Sequence, residues 1–163
     1  MIIISDTSPI SSLLRIGQLN LLQKLYDRVT IPETVYQEIK ALENFGVDIT
    51  MIQSADWIDI RPARDRELVG RLESELDLGE AEAIALAVEC NADRLLIDER
   101  LGRQVAQRYG VKITGLLGLL VAAKQSNLIS ELKPILDQLI FQAQFRVHPN
   151  LYHQILKDVD EAD

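Results

Sequence analysis

The sequence predicts an α/β fold, with a short, mostly parallel sheet between two layers of helices in a three-layer α/β/α arrangement. Three observations predict it. Ile2-Ile3-Ile4 and Leu95-Leu96-Ile97 are brief, unbroken apolar runs bounded by polar residues, the pattern of strands buried on both faces. Stretches with helical spacing separate the strand-like runs, and that alternation is the signature of parallel α/β sheets. Each run also ends at an aspartate, Asp6 or Asp98, where open parallel sheets bind their ligands.

The elements follow in order. After Asp6, Ser8 suits an N-cap and Pro9 the first helical position, with Ile10, Leu13 and Leu14 as the apolar stripe and Gly17 as the stop. Residues 19–26 repeat the pattern through Leu21, Leu22 and Leu25. Val29-Thr30-Ile31 reads as a strand stopped by Pro32, and a helix runs on to about residue 44 with Val35, Ile39 and Leu42 inward. Residues 47–54 suit a turn or two of helix, and Trp57 to Ile60 alternates like an edge strand. Residues 64–76 are so charged that an exposed helix or a mobile connection is expected. Residues 80–89 form a helix with Ala81, Ile84, Ala85 and Val88 at core spacing. The strand at 95–97, a helix at 99–109 closed by Gly110, and a strand at 111–113 come next. A helix over 116–123 is apolar nearly all round and should be buried. Helices over 130–143 and 149–158 complete a single domain spanning 1–163, with 158–163 expected to fray.

Composition narrows the function. At 47% hydrophobic and 5% aromatic, the core must be built from aliphatic side chains. Seventeen basic against twenty-five acidic residues give a net charge of −8, which argues against indiscriminate nucleic-acid binding. Cations held in an acidic pocket locally reverse that sign. A lone Cys90 rules out a disulfide framework and a cysteine zinc site, and His148 and His153 lack a third partner. No phosphate-cradling glycine motif and no nucleophile elbow is present. Met1-Ile2-Ile3-Ile4 lacks the basic start of a signal peptide, and the apolar run 113–123 is too short for a membrane span. A cytoplasmic protein without membrane contact is expected.

The acidic residues carry the chemistry. Asp6 is better explained as functional than as a cap, because Ser8 supplies the cap. Glu38 lies at the edge of its helix's apolar stripe, where it either faces a pocket or reaches solvent. Asp77-Leu78-Gly79-Glu80 fits a capping box, and Glu82 is a first-turn acid, so each has a structural explanation. Asp98 reads equally as the N-cap of the 99–109 helix and as a site residue, and Glu99 as a solvated first-turn acid. Arg100 and Arg103 either contact phosphate or line a solvated helix face.

Taken together, Ile4-Ser5-Asp6-Thr7-Ser8, the run from Ile31 to Ile39, the run from Leu78 to Ala87, Leu95 to Glu99, and Ile113 to Lys124 resemble the PIN domain family, including a subgroup of uncharacterised bacterial proteins. That family comprises small metal-dependent ribonucleases, often the toxin half of bacterial toxin–antitoxin pairs. The resemblance implies catalytic and metal-binding roles for Asp6, Glu38, Glu80 and Asp98, with Glu99 as an extra ligand and Glu82 as an alternative to Glu80. It places Ser8 where the family often has a Ser, Thr or Asn hydrogen-bonding near the first Asp, and Ser8, with Arg100 and Arg103 beside the site, is expected to contact substrate. The chain departs from the family in having Glu for the third acid, commonly Asp, and Leu96 two residues before Asp98, where Thr or Ser is usual. An all-oxygen ligand set suits Mg²⁺ or Mn²⁺, and two such ions can serve phosphodiester hydrolysis leaving a 5′-phosphate. The implied partners are an RNA substrate, an antitoxin protein and a second copy in a homodimer. The rival expectation is a catalytically degenerate PIN-like scaffold that binds a partner protein or RNA without cutting it.

Overall fold

The computed structural model describes residues 1–162. Its elements are β1 (Ile3–Ser5), α1 (Thr7–Arg15), α2 (Asn20–Tyr26), β2 (Val29–Pro32), α3 (Glu33–Ala41), α4 (Thr50–Gln53), β3 (Ile58–Arg61), α5 (Arg66–Leu72), α6 (Leu78–Glu89), β4 (Arg94–Leu96), α7 (Arg100–Arg108), β5 (Ile113–Thr114), α8 (Leu116–Gln125), α9 (Lys133–Gln142) and α10 (Pro149–Asp158). A short 3₁₀ turn, Leu42–Phe45, extends α3. The five strands form one sheet in the order β3-β2-β1-β4-β5. All neighbours are parallel, with Ile4 opposite both Thr30 and Leu95, and Leu95 opposite Ile113. The three-layer α/β/α architecture expected from the alternation is therefore present.

Side chains alternating along each strand feed two separate cores. Ile3, Val29, Ile31 and Leu96 face α1, α2, α3 and the C-terminal helices α8 to α10. Ile4, Leu95 and Ile97 face α5, α6 and α7. Helices on both faces leave the inner strands β1, β2 and β4 largely without a solvated side, which is why β1 and β4 read as apolar runs, whereas the edge strand β3 alternates and is partly exposed.

Four local expectations are corrected. Helix α1 starts at Thr7, so its N-cap residue is Asp6 and not Ser8, and Pro9 sits at the third helical position, with no side-chain cap bond. The charged stretch 64–76 is not a mobile connection: α5 buries Leu68, Val69 and Leu72 against α6, and Asp65 caps it by accepting from the Leu68 N–H. The last strand is Ile113–Thr114 and not 111–113, because Leu95 and Ile97 of the β4 segment donate to the Lys112 and Thr114 carbonyls, while Val111 turns into the core. The end of the chain is tied down through residue 161: Val159 is buried, and the Glu161 carboxylate accepts from the Leu132 and Lys133 backbone N–H groups at 2.8 and 2.9 Å. Lys124 Nζ lies 3.3 Å from the same carboxylate. Asp163 lies outside the described residues. Among those described, no helix is long and apolar enough to cross a membrane.

Candidate active site

The order β3-β2-β1-β4-β5 reverses direction between β1 and β4. From β1 the chain enters α1 on one face of the sheet, and from β4 it enters α7 on the other. The two helices diverge and leave a crevice beyond the strand ends, the ligand-binding position of open α/β sheets. Asp6 and Asp98 leave the sheet on either side of that crevice. The strand ends are held together by the Asp6 N–H, which donates to the Leu96 carbonyl at 2.9 Å. Asp6 is only 3% exposed.

Two further acids close in from neighbouring helices. The Thr7 hydroxyl at the start of α1 donates to Glu38 Oε2 at 2.5 Å, turning this α3 side chain towards Asp6 and away from solvent. Gly79 makes room for it: a Cβ there would stand 2.5 Å from Glu38 Oε1. Glu80 reaches from α6 to α7 over Gly102, where an added Cβ would stand 2.8 Å from its Oε2. Both close approaches exist because these positions carry no side chain. Asp77 caps α6 by accepting from the Glu80 N–H at 2.9 Å, as the capping box predicts, and its charge also falls on Asp6, Glu38 and Glu80.

Asp98 is corrected in one respect. Its Oδ1 accepts from the Leu116 N–H at 2.8 Å, so it caps the first turn of α8. The N-cap residue of α7 is Glu99, which is exposed and makes no side-chain cap bond. The second oxygen, Asp98 Oδ2, is buried with no hydrogen-bond partner. A buried oxygen left without a donor costs stability unless something else satisfies it.

The electrostatics follow from this packing. Burial pushes the Asp6 carboxyl up to about 7, against the opposing Thr7 backbone N–H, and the charges of Asp77, Glu38 and Asp98 add to the rise. Glu80 is pushed up to about 8 by burial, by its hydrogen-bonded pairing with Asp77, and by the Asp77 and Asp6 charges. Burial also raises Glu38, opposed by the Thr7 hydroxyl and assisted by Asp77 and Glu82. Asp98 is raised by burial against the Leu116 N–H and the Arg103 charge. Crowded carboxylates sharing few protons are what these shifts describe.

The remaining candidates separate. Glu82 is buried and takes Arg66 of α5 at 3.4 Å, and its charge also falls on Glu38, while Glu80 is paired with Asp77 and feels the Asp6 charge. Ser8 is half-buried and makes no side-chain hydrogen bond among the described residues. Arg100 and Arg103 are exposed beside Asp98, lining a small groove with Gln104 and Gln107. Sequence reasoning passed over Thr7 and treated Asp77 only as a cap. The signals available were a hydroxyl directly after Asp6 and an acid three residues before Glu80. Among the described residues, no three His, Cys, Asp or Glu side chains form a ready-made metal cluster.

A parallel α/β/α sheet with acids at its switch point places the chain among doubly wound α/β proteins with an acidic ligand crevice. The family model described as a PIN domain matches residues 2–161, and the chain belongs to that family. Among curated proteins, none matches the chain significantly.

Proposed function

We propose that this protein is a divalent-cation-dependent endoribonuclease of the cytoplasm, acting as the toxin of a toxin–antitoxin pair. The observation that carries the reading is the meeting of Asp6 and Asp98 at the switch point, with Glu38 and Glu80 brought to the same crevice by α3 and α6. Four carboxylates from four separate segments, two of them given room by glycines, are costly to assemble for stability alone.

The donor set fits a hard cation. Every candidate ligand atom is a carboxylate oxygen, and Asp98 Oδ2 is a buried oxygen in need of a positive partner. Asp6, Glu38, Glu80 and Asp98 would hold Mg²⁺ or Mn²⁺, with Glu99 at the margin. When bound, the cation supplies an activated water and neutralises charge on the phosphate. The protein supplies the rest. Thr7 fixes the Glu38 carboxylate, and the Leu116 N–H fixes one oxygen of Asp98. Glu80, paired with Asp77, is poised to take up or release a proton near neutral pH. Arg100 and Arg103 stand beside Asp98 to meet phosphate. Hydrolysis places water's oxygen on phosphorus and its proton on the departing 3′-oxygen, leaving a 5′-phosphate. An antitoxin would bring a cationic side chain to the same acids.

A second reading, a scaffold that binds RNA or protein without cleavage, is favoured by the absence of a ready-made three-acid cluster among the described residues. One experiment separates the two. Purified protein and an Asp6→Asn variant are incubated with structured and unstructured RNAs in Mg²⁺, Mn²⁺ or chelator. Cation-dependent cleavage by the parent protein and none by the variant is expected. Cleavage that survives chelator or the substitution refutes the metal-dependent nuclease reading, and cation-independent RNA binding without cleavage selects the scaffold.

A further inference from the structure

A groove of about 800 Å³ runs along the open edge of β5, between it and the C-terminal helices. Tyr26, Arg94, Arg103, Phe145, Arg146 and Asp98 line it together with apolar residues of β5, α8 and α10, and Arg94 and Asp98 mark the two ends of the β4 segment. Asp98 is the only carboxylate among the residues lining it, although the chain carries a net charge of −8. Arg94, Arg103 and Arg146 are exposed, and none of them is in an ion pair among the described residues. The Arg94 guanidinium donates to the Ile113 carbonyl at 3.5 Å, and its charge acts on Tyr26. Three exposed guanidinium groups, of which Arg103 also acts on Asp98, and two half-buried aromatic rings share a largely apolar groove in an otherwise acidic protein, a combination suited to an anionic ligand with flat apolar groups.

We infer that this groove binds single-stranded RNA and feeds the strand to Asp98, with Arg94 and Arg146 on successive backbone phosphates and Tyr26 and Phe145 beneath bases. The inference rests on the nuclease reading and adds a substrate path to it. The spacing of charges and rings favours a single strand. Arg94 and Asp98 lie four residues apart along β4 and its continuation, a span of about 13 Å, which suits a few nucleotides of extended strand. Guanidinium groups that track a backbone, with aromatic platforms beside them, are the combination that holds single strands without sequence preference. The groove also touches the acidic crevice only at Asp98, so a strand lying in it arrives at the carboxylates from one end.

The test uses the full chain and a fluorescein-labelled 2′-O-methyl uridine dodecamer, which resists cleavage, with anisotropy read in chelator over a salt series. Arg94→Glu, Arg146→Glu and the double variant are compared with the parent, and the milder Arg94→Gln/Arg146→Gln pair guards against disturbance of the fold, checked by circular dichroism. Expected is a loss of about tenfold or more for the double variant. The slope of log affinity against log salt should be shallower by about 1.4, two phosphate contacts at roughly 0.7 each. Unchanged binding and slope in both double variants overturns the groove even if the parent protein cleaves RNA. Arginine-dependent binding by a parent protein that never cleaves RNA upholds the groove and removes the nuclease reading. Tighter, arginine-dependent binding of an oligoglutamate peptide than of the dodecamer overturns the RNA assignment in favour of an acidic protein segment.

Discussion

Gly79 in the first turn of α6 and Glu38 in the middle of α3 occupy one space: a methyl group on the glycine would stand 2.5 Å from Glu38 Oε1. Replacing Gly79 with Ala therefore sets local and tertiary physics against each other. Alanine favours the helix by up to about 1 kcal/mol over glycine, and the flexible end of Glu38 can move aside. The expected Gly79→Ala protein melts no lower than the parent yet cleaves RNA about 10²-fold more slowly, the cost of misplacing a reacting group by an ångström. Thermal melts and initial rates check both halves, and full activity would show that Glu38 need not sit where it does.

The pH dependence of stability has a definite sign. Asp6 rises from an ordinary 3.8 to about 7 and Glu80 from 4.5 to about 8 on folding. Between those limits the folded protein holds more protons than the unfolded chain, so stability falls as pH rises from about 4 through 8. The stabilising contribution is fully present below the unfolded values and lost as pH climbs through the folded ones. In chelator, melting temperature should decline across this window, with a shallower decline for Asp6→Asn. Mn²⁺ should restore more stability at pH 8 than at pH 6, because protons compete for the same oxygens. A flat profile in chelator would contradict the crowding of these acids.

Asp98 has two oxygens with different duties, and two substitutions separate them. Asn at this position keeps Oδ1 for the Leu116 N–H and loses the anionic Oδ2. Stability within about 1 kcal/mol of the parent is expected, with no stabilisation by Mn²⁺. Ala also removes the cap on α8 and should cost about 1 kcal/mol more. Denaturant melts with and without the ion distinguish them, and an undiminished Mn²⁺ effect in Asp98→Asn would remove this residue from the ligand set.

Glu80 and Glu82 are two residues apart in sequence but have different partners. Glu80→Gln should lower cleavage at least about 10²-fold, as loss of a positioned proton-transfer or ligand group does. Glu82→Gln should leave cleavage nearly intact and weaken the contact with Arg66 that ties α5 to α6, lowering the melting temperature. The reverse ranking of rates would exchange their roles.

Glu161 fastens the end of the chain to the start of α9 through two backbone donors. Glu161→Ala leaves the Leu132 and Lys133 N–H groups without their acceptor, at a cost of about 1–3 kcal/mol. Denaturant titration measures it, and catalysis should be unaffected because the partners of Glu161 are Leu132, Lys133 and Lys124 and none of the crevice acids.

What the sequence alone determined is local in origin. The apolar runs at Ile3–Ser5 and Leu95–Leu96 declare buried parallel strands because no polar face is allowed for, and the acid after each declares its place at a strand end. The cap at Asp77 was equally legible, since it needs only residues three apart. Helix α5 was not, because its buried Leu68, Val69 and Leu72 are hidden among charges and make sense only against the face of α6. Nor was the choice of Asp98 to cap α8 instead of the helix that follows it, for the two N-termini compete in space and not along the chain. Tertiary structure alone set β1 beside β4, some ninety residues away in sequence, opened the crevice between α1 and α7, and matched Gly79 and Gly102 to the acids above them. Strand order and close approach are decided by long-range pairing and by which backbone can come near which side chain, and no local periodicity records either.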